Sequence, residues 1–126
     1  MATDISPPST IRIGDTPLGR GVIAAAEIAS GETIEICPAL AVNPGDATGL
    51  LLDYIVDPGD GSEGAVLLLG YGVLYNHSEH PNAEYVYLAD DAYAFEALRD
   101  IATGEEITIS YGEEWWETRE LEPAQG

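Results

Sequence analysis

Residues 69–82 read LGYGVLYNHSEHPN, an apolar run that ends abruptly in polar residues. Asn76, His77 and Ser78 follow the run directly, and a Pro-Asn pair closes the stretch. Asparagine and serine bond their own backbone in turns and proline fixes φ, so a turn accounts for one or two of these residues. Five such residues within seven positions, directly behind buried chain, indicate a loop held rigid for a ligand.

The overall composition fits one globular domain. The chain has 126 residues, of which 45% are hydrophobic, and this length is sufficient to bury a core. No apolar run approaches the roughly 20 residues that a membrane helix needs. The first four residues lack the basic start and apolar core of a signal peptide. We therefore expect a soluble cytoplasmic protein, or a nuclear one if its source is eukaryotic or viral.

Acidic residues dominate the charge. The sequence has 23 acidic residues and four arginines, without any lysine, and its formal net charge is −19. Such a field repels nucleic acid phosphate and attracts basic partners at long range. Solubility or adaptation to salt explains the acidity equally well. Cys37 is the single cysteine, which excludes an internal disulfide and a cysteine-built zinc site.

Two segments of the chain resemble each other. EIASGETIEI at residues 27–36 and DIATGEEITI at 100–109 each predict a glycine turn that leads into a strand with alternating isoleucines. Other predicted elements are a first strand at 11–13, a hairpin of 84–88 with 93–98, a strand at 106–110, a loop at 38–46, short helices at 50–56 and 113–120, and an acidic loop at 57–64. The pattern predicts a mainly β fold with many short strands.

Gly19-Arg20-Gly21 stands just before an apolar run that starts at Val22. Two glycines next to a strand allow the backbone to approach a ligand closely, although most such pairs only form a turn. The stretch is not a dinucleotide-binding motif, because the third glycine and the following helix are missing.

Four motifs, taken in order, resemble those of the SET-domain lysine methyltransferases. The chain is most similar to the compact viral and bacterial members that lack cysteine-rich flanks. The motifs are Gly19-Arg20-Gly21-Val22, then Tyr75-Asn76-His77-Ser78 with Pro81-Asn82, then Gly104-Glu105-Glu106-Ile107-Thr108, and finally Ser110-Tyr111-Gly112. The resemblance implies a SET domain at residues 11–116 between tails at 1–10 and 117–126. It also implies several small sheets and a pseudoknot near the C-terminus, where residues 76–82 pass beneath a loop near Tyr111.

The cofactor implied by the resemblance is S-adenosylmethionine, which donates the methyl group. In the family, the glycine-containing backbone cradles this donor, the asparagine holds its amino acid end, and the main chain of the next histidine meets its adenine. An aromatic ring near the C-terminus covers the adenine in compact members. The implied donor-binding residues are Gly19, Arg20, Gly21, Val22, Asn76, His77, Tyr111 and Trp116.

The substrate side implied by the resemblance is an aromatic channel for a lysine side chain. A lysine with a pKa of about 10.4 is neutral in only about one molecule in 10³ at pH 7. Burial among apolar and aromatic groups favours the neutral amine, which is the reactive form. Tyr111 matches the tyrosine whose hydroxyl orients the amine and the methyl group. The expected channel residues are Tyr54, Tyr85, Ile109 and Trp115, and they leave the number of methyl groups added open.

The expected partner is a basic, lysine-containing protein such as a histone-like protein, without direct nucleic acid or membrane binding. Larger relatives close the site with a zinc-binding cysteine cluster, which this chain lacks. The terminal tryptophans or a second subunit must therefore close the site here. We expect a homodimer. We expect no metal, although His77, His80, Glu79 and Glu84 have ligand chemistry. The alternatives are an inactive SET scaffold that binds basic segments, and an acidic mimic of nucleic acid.

Overall fold

The computed structural model describes residues 8–43, 45, 49, 54–56, 64–89 and 91–111. These residues include nine strands and, between the fifth and the sixth of them, a short 3₁₀ helix. They are β1 (Ile11–Thr16), β2 (Gly19–Ala24), β3 (Thr33–Val42), β4 (Ile55–Val56), β5 (Ala65–Leu68), the 3₁₀ helix (Gly72–Leu74), β6 (Asn76–His77), β7 (Ala83–Ala89), β8 (Ala92–Ala97) and β9 (Glu106–Ile109). Within the same ranges, no helix has the length and apolar character needed to span a bilayer.

The strands form two sheets, and the predicted mainly β fold of several small sheets is confirmed. One sheet has the order β1-β2-β9-β6, in which β6 runs parallel to β9. The other has the order β4-β5-β3-β8-β7 and is antiparallel throughout. β9 follows the other strands in the chain, yet it lies inside its sheet between β2 and β6.

The two similar segments adopt the same local structure, as their sequences predict. Gly31 and Gly104 have φ angles of 82° and 87°, a left-handed conformation that glycine adopts without steric cost. Each glycine turn leads into a strand, β3 or β9. The segments also contact each other, because the backbones of Ile28 and Ile101 exchange hydrogen bonds of 2.8 and 2.9 Å.

The predicted hairpin is confirmed, since β7 and β8 pair from Ala83–Ala97 to Ala89–Ala92. The predicted loop at 38–46 is wrong for its first half, because β3 continues through Pro38 to Val42. Proline lacks the N–H group that continuous pairing needs. Strand β3 tolerates Pro38 where its pairing partner changes. Residues up to Pro38 pair with β8, whereas residues from Ala39 onward pair with β5.

The helix predicted at 50–56 is also wrong at its C-terminal end, because Ile55 and Val56 form strand β4 against β5. Its beginning lies outside the described residues. So do nearly all of the acidic loop at 57–64, the predicted helix at 113–120, and most of both tails.

The core draws on both sheets. Val22, Ile107 and Ile109 from the first sheet belong to one buried cluster with Ile34 and Phe95 from the second. Tyr75 belongs to the same cluster and is 1% exposed, and its ring stacks on Phe95 at a centroid distance of 4.1 Å. The segment that begins at Tyr75 is therefore fixed to the core immediately before the polar residues of the motif.

Candidate functional site

The polar motif and the C-terminal strand lie side by side. Asn76 and His77 form β6 and pair in parallel with Thr108 and Ile109 of β9. The backbone N–H of Ser78 extends this pairing by donating to the carbonyl of Ile109, at 2.9 Å. Residues 76–78, predicted to be a rigid loop, are thus held partly as strand, and they lie beside the chain that leads to Tyr111.

Asn82 fixes the other end of the motif. Its side chain is 2% exposed and binds the backbone of β9 twice. Oδ1 accepts from the Thr108 N–H at 2.9 Å, and Nδ2 donates to the Glu106 carbonyl at 2.8 Å. The amide thus satisfies two backbone groups of β9, the Thr108 N–H and the Glu106 carbonyl, as a residue of a neighbouring strand would.

Tyr111 is oriented by two hydrogen bonds. Its backbone N–H donates to His77 Nδ1 at 3.0 Å, and its hydroxyl donates to the carbonyl of Tyr75 at 2.8 Å. Burial raises the pKa of the Tyr111 hydroxyl to about 12, with smaller contributions from the nearby Tyr54 and Glu106. The hydroxyl is therefore neutral at physiological pH and fixed in direction.

The hydrogen bond from Tyr111 also determines the tautomer of His77. Because Nδ1 accepts, the proton of the neutral ring is on Nε2, which lies 3.6 Å from Glu79 Oε1.

The described residues contain no group of three side chains placed to hold a metal ion.

A small cavity lies against the Tyr111 ring. Its volume is about 20 Å³, close to the space that one water molecule requires. The lining residues are Tyr54, Val56, Leu68, Gly72, Val73, Tyr75, Ile109 and Tyr111. The structure thus brings together three residues selected from the sequence, Tyr54, Ile109 and Tyr111. It adds Tyr75, whose part in the wall the sequence does not reveal.

Tyr85, also expected in the channel, is not among the lining residues. It lies on β7, with its ring 6.3 Å from Phe95, which stacks in turn on Tyr75. The Phe95 ring therefore lies between Tyr85 and the lining residue Tyr75. Trp115 and Trp116 lie outside the described residues, and their placement at the site stays a prediction.

The second part of the site, called the recess below, is the polar cluster where Asn76 meets the β1–β2 hairpin. The Asn76 Nδ2 group faces three acceptors: Glu106 Oε2 at 2.8 Å, the Arg20 carbonyl at 3.2 Å, and Thr16 Oγ1 at 3.4 Å. These contacts assign the nitrogen to the protein side. The Asn76 Oδ1 atom is then the acceptor available to a ligand.

Gly21 is required at this recess. A Cβ atom there would lie 2.7 Å from Asn76 Nδ2 and 2.8 Å from Glu106 Oε2. Gly19 forms the hairpin turn with a φ of 104°, and Val22 is fully buried in the core. Of the stretch selected from the sequence, Gly21 and the Arg20 carbonyl contact the recess, whereas Gly19 and Val22 shape the strand around it.

One buried network was not expected from the sequence. The side chain of Glu35 is 5% exposed and accepts from the Tyr75 hydroxyl at 2.7 Å and from the Tyr71 N–H at 3.0 Å. Alternation along β3 places Glu35 on the solvent face. A bulge between Thr33 and Glu35 turns it inward. Burial, together with Glu35, raises the pKa of the Tyr75 hydroxyl and of the Cys37 thiol far above their usual ranges.

Comparisons with known proteins agree on one family. The profile of the SET domain matches residues 19–112. The chain is 36% identical, over 116 residues, to a histone-lysine N-methyltransferase of Schizosaccharomyces pombe specific for lysine 37 of histone H3. This alignment covers 86% of the chain and 77% of the relative. The fold is similar to the crystal structure of a Plasmodium falciparum protein described as a histone methyltransferase. The TM-score is 0.72 at 35% identity, and the match covers 89% of this chain and 99% of the other.

Proposed function

The chain belongs to the SET-domain family of protein-lysine methyltransferases, and we propose that it transfers a methyl group from S-adenosylmethionine to the ε-amine of a lysine in a basic protein. The observation that carries this proposal is the placement of Tyr111. Its hydroxyl is fixed by the Tyr75 carbonyl at the wall of an aromatic cavity. Asn76 and Gly21 form a recess on the neighbouring strands.

The recess fits the amino acid end of S-adenosylmethionine. That end carries an ammonium group, which needs acceptors, and the recess offers Asn76 Oδ1 beside the carboxylate of Glu106. Because Gly21 has no side chain, the ends of the Asn76 and Glu106 side chains can lie close against its backbone. The main chain of Arg20 and His77 continues the same surface, and Trp116 is proposed to cover the adenine. When bound, the donor supplies an electrophilic methyl group on a sulfonium sulfur.

The cavity side chains prepare the amine. Tyr54, Tyr75, Ile109 and Tyr111 surround the cavity with rings and an aliphatic group. Such a wall disfavours a charged ammonium, so it lowers the pKa of an inserted lysine and raises the fraction of neutral amine. The Tyr111 hydroxyl donates its proton to the Tyr75 carbonyl, so its oxygen acts as an acceptor toward the amine N–H. Holding the amine in line near the methyl group is the main catalytic requirement.

The proposed substrate is a protein segment rich in Lys and Arg. With a net charge of −19, the enzyme attracts such a segment over distances set by the Debye length, about 8 Å at physiological ionic strength. The S. pombe relative is named for activity on a histone, a strongly basic protein. We expect kcat/KM to fall with added salt. Equal rates on an acidic peptide, unaffected by salt, would rule out this substrate class.

Asn76→Ala provides the test of donor binding. At about 100 times the Kd, S-adenosylmethionine should stabilise the wild-type protein by about 2.7 kcal/mol, measured as a rise in Tm. Asn76→Ala should lose most of this rise, because the acceptor for the ammonium is gone. Asn43→Ala, which changes an exposed asparagine, should keep the full rise. The absence of any rise in the wild-type protein would contradict the proposal.

Gly21→Ala should weaken donor binding more than it weakens the fold. The added methyl group displaces the flexible ends of the Asn76 and Glu106 side chains and presses on the Thr16 Cγ2 methyl, which lies 2.9 Å from the new Cβ. The displaced amide no longer fits the ammonium, and we expect the Kd for the donor to rise about tenfold, or about 1.4 kcal/mol. Calorimetric titration measures this change.

The matched control is Gly14→Ala, on the strand directly opposite. Gly14 pairs with Gly21, but its added methyl group would meet Arg12 and Ile23 instead of Asn76. Equal donor affinities in the two variants would show that the recess is not the donor site.

Transfer itself requires a separate assay with isotopically labelled donor and purified basic proteins. Methylated lysine, identified by mass spectrometry, supports the enzyme. Donor binding without transfer to any basic protein would instead favour the inactive scaffold.

A further inference from the structure

Glu35 is a buried carboxylate in the second sheet, and the proposed chemistry leaves it without a role. Its two oxygens both act as acceptors, Oε1 for the Tyr75 hydroxyl and Oε2 for the Tyr71 N–H. The nearby Glu35 carboxylate also contributes to the raised pKa of the Cys37 thiol. A buried carboxylate is costly unless it is hydrogen-bonded, and here both bonds come from one short stretch of chain, residues 71–75.

The chain around Glu35 is shaped to reach it. A Cβ atom at Gly70 would lie 2.9 Å from Glu35 Oε2, and one at Gly72 would lie 3.2 Å from Cys37 Sγ. Gly70 also has a φ of 62°, which disfavours other residues. Close contact with this carboxylate thus explains Gly70, whereas Gly72 is explained by its packing against Leu68, whose Cβ would lie 2.6 Å from an added Cβ, and against Cys37 Sγ.

Tyr75 connects this network to the cavity. Its hydroxyl binds Glu35, its ring stacks on Phe95, and its backbone carbonyl accepts from the Tyr111 hydroxyl. Tyr75 is also one of the residues that line the cavity. One residue therefore joins the buried carboxylate to the hydroxyl that orients the amine.

We propose that Glu35 is a positioning residue for methyl transfer, which fixes Tyr75 and thereby fixes the carbonyl that directs the Tyr111 hydroxyl. The inference rests on the proposed methyl transfer. It explains why a carboxylate occupies this place. The two oxygens of one side chain satisfy the Tyr75 hydroxyl and the Tyr71 backbone N–H at once, so residues 71–75 keep one position. Small displacements of a reacting group lower rates steeply, and 1 Å can cost about 10²-fold.

The test is a double-mutant cycle of Glu35→Gln with Tyr111→Phe. Glutamine keeps one oxygen acceptor but places an amide N–H group against the second donor, which disturbs Tyr75 while preserving side-chain volume. In the wild-type background we expect kcat to fall about tenfold, with the KM for S-adenosylmethionine and the donor-induced rise in Tm unchanged. In the Tyr111→Phe background, measured by single turnover with excess enzyme, Glu35→Gln should have no further effect.

Glu96→Gln is the matched control, because Glu96 is a half-buried glutamate on the adjacent strand β8. It should keep the wild-type kcat. If Glu35→Gln does not fold, Tyr75→Phe replaces it in the same cycle, since phenylalanine keeps the stacked ring and removes only the hydroxyl.

A loss of kcat that is equal in both backgrounds, or an unchanged kcat in the wild-type background, would overturn the positioning role. A purely structural carboxylate would produce one of these two results, with a lower Tm. If the wild-type protein neither binds the donor nor transfers methyl groups, the proposed function fails first, so the two failures are distinguishable.

Discussion

Tyr111→Phe should lower the kcat of methyl transfer by about 10²–10³-fold, the usual effect of removing one oriented polar group from a transition state. The substitution keeps the ring that lies 5.2 Å from His77 and removes only the hydroxyl. That hydroxyl is fixed by the Tyr75 carbonyl, and its lone pairs orient the amine. Without it, the lysine enters the cavity but is no longer held in line with the methyl group.

Donor binding should survive Tyr111→Phe, since the recess at Asn76 is unchanged. The loss of one hydrogen bond should cost about 1 kcal/mol of stability. The Tyr111 pKa of about 12 also keeps the hydroxyl neutral up to high pH. A rise of kcat/KM between pH 7 and 10 in the wild-type protein therefore reports deprotonation of the substrate lysine and should persist in the variant.

Tyr87→Phe is the matched control, because Tyr87 is 40% exposed on β7 and away from the cavity. Its kcat should equal that of the wild-type protein. A Tyr111→Phe enzyme with more than about a third of the wild-type kcat would remove Tyr111 from the catalytic role.

Asn82→Ala should lower the free energy of unfolding by about 3 kcal/mol. Alanine leaves the Thr108 N–H and the Glu106 carbonyl buried without their partner, and each such group costs about 1–3 kcal/mol. These groups belong to β9, so the loss also loosens the strand that positions Tyr111. Denaturant unfolding of the variant and the wild-type protein measures the difference.

Asn82→Asp separates the two hydrogen bonds. Aspartate can still accept from the Thr108 N–H, but it places a second acceptor against the Glu106 carbonyl, and it should also destabilise the protein. Asn43→Ala, at an exposed position, should change the free energy of unfolding by less than about 0.5 kcal/mol. A loss below about 1 kcal/mol in Asn82→Ala would show that water replaces the amide.

The strands that the sequence predicted are those with strong local signals. Alternating isoleucines after Gly31 and Gly104 locate the starts of β3 and β9, and the β7–β8 hairpin follows from its two alternating runs. Strand β6 has no such signal. It consists of Asn76 and His77, and these residues form a strand because they pair with β9. The length of β3 could not be predicted either. Pro38 favours a loop, and nothing in the local sequence shows that the strand changes its pairing partner there.

The residues of the site also divide into those that the sequence predicted and those that it did not. The motif residues Asn76, Asn82 and Tyr111 were selected from the sequence, because their types and order resemble a known family. Glu35 was not, because a one-residue bulge reverses the face on which it lies. The role of Tyr75 was also hidden, since a carbonyl that holds a hydroxyl 36 positions away leaves no trace in local sequence.

The place of β9 inside its sheet has a consequence during synthesis. The ribosome releases β1, β2 and β6 before residues 106–109 exist, and until then β2 is paired only with β1 and β6 lacks its partner in the sheet. A nascent chain can form the β1–β2 hairpin early, whereas the recess and the cavity form only after β9 has been synthesised. Pairing between distant segments is slow and leaves strand edges exposed meanwhile. We therefore expect activity to appear in one step, after translation has passed Tyr111, and shorter nascent chains to depend on chaperones.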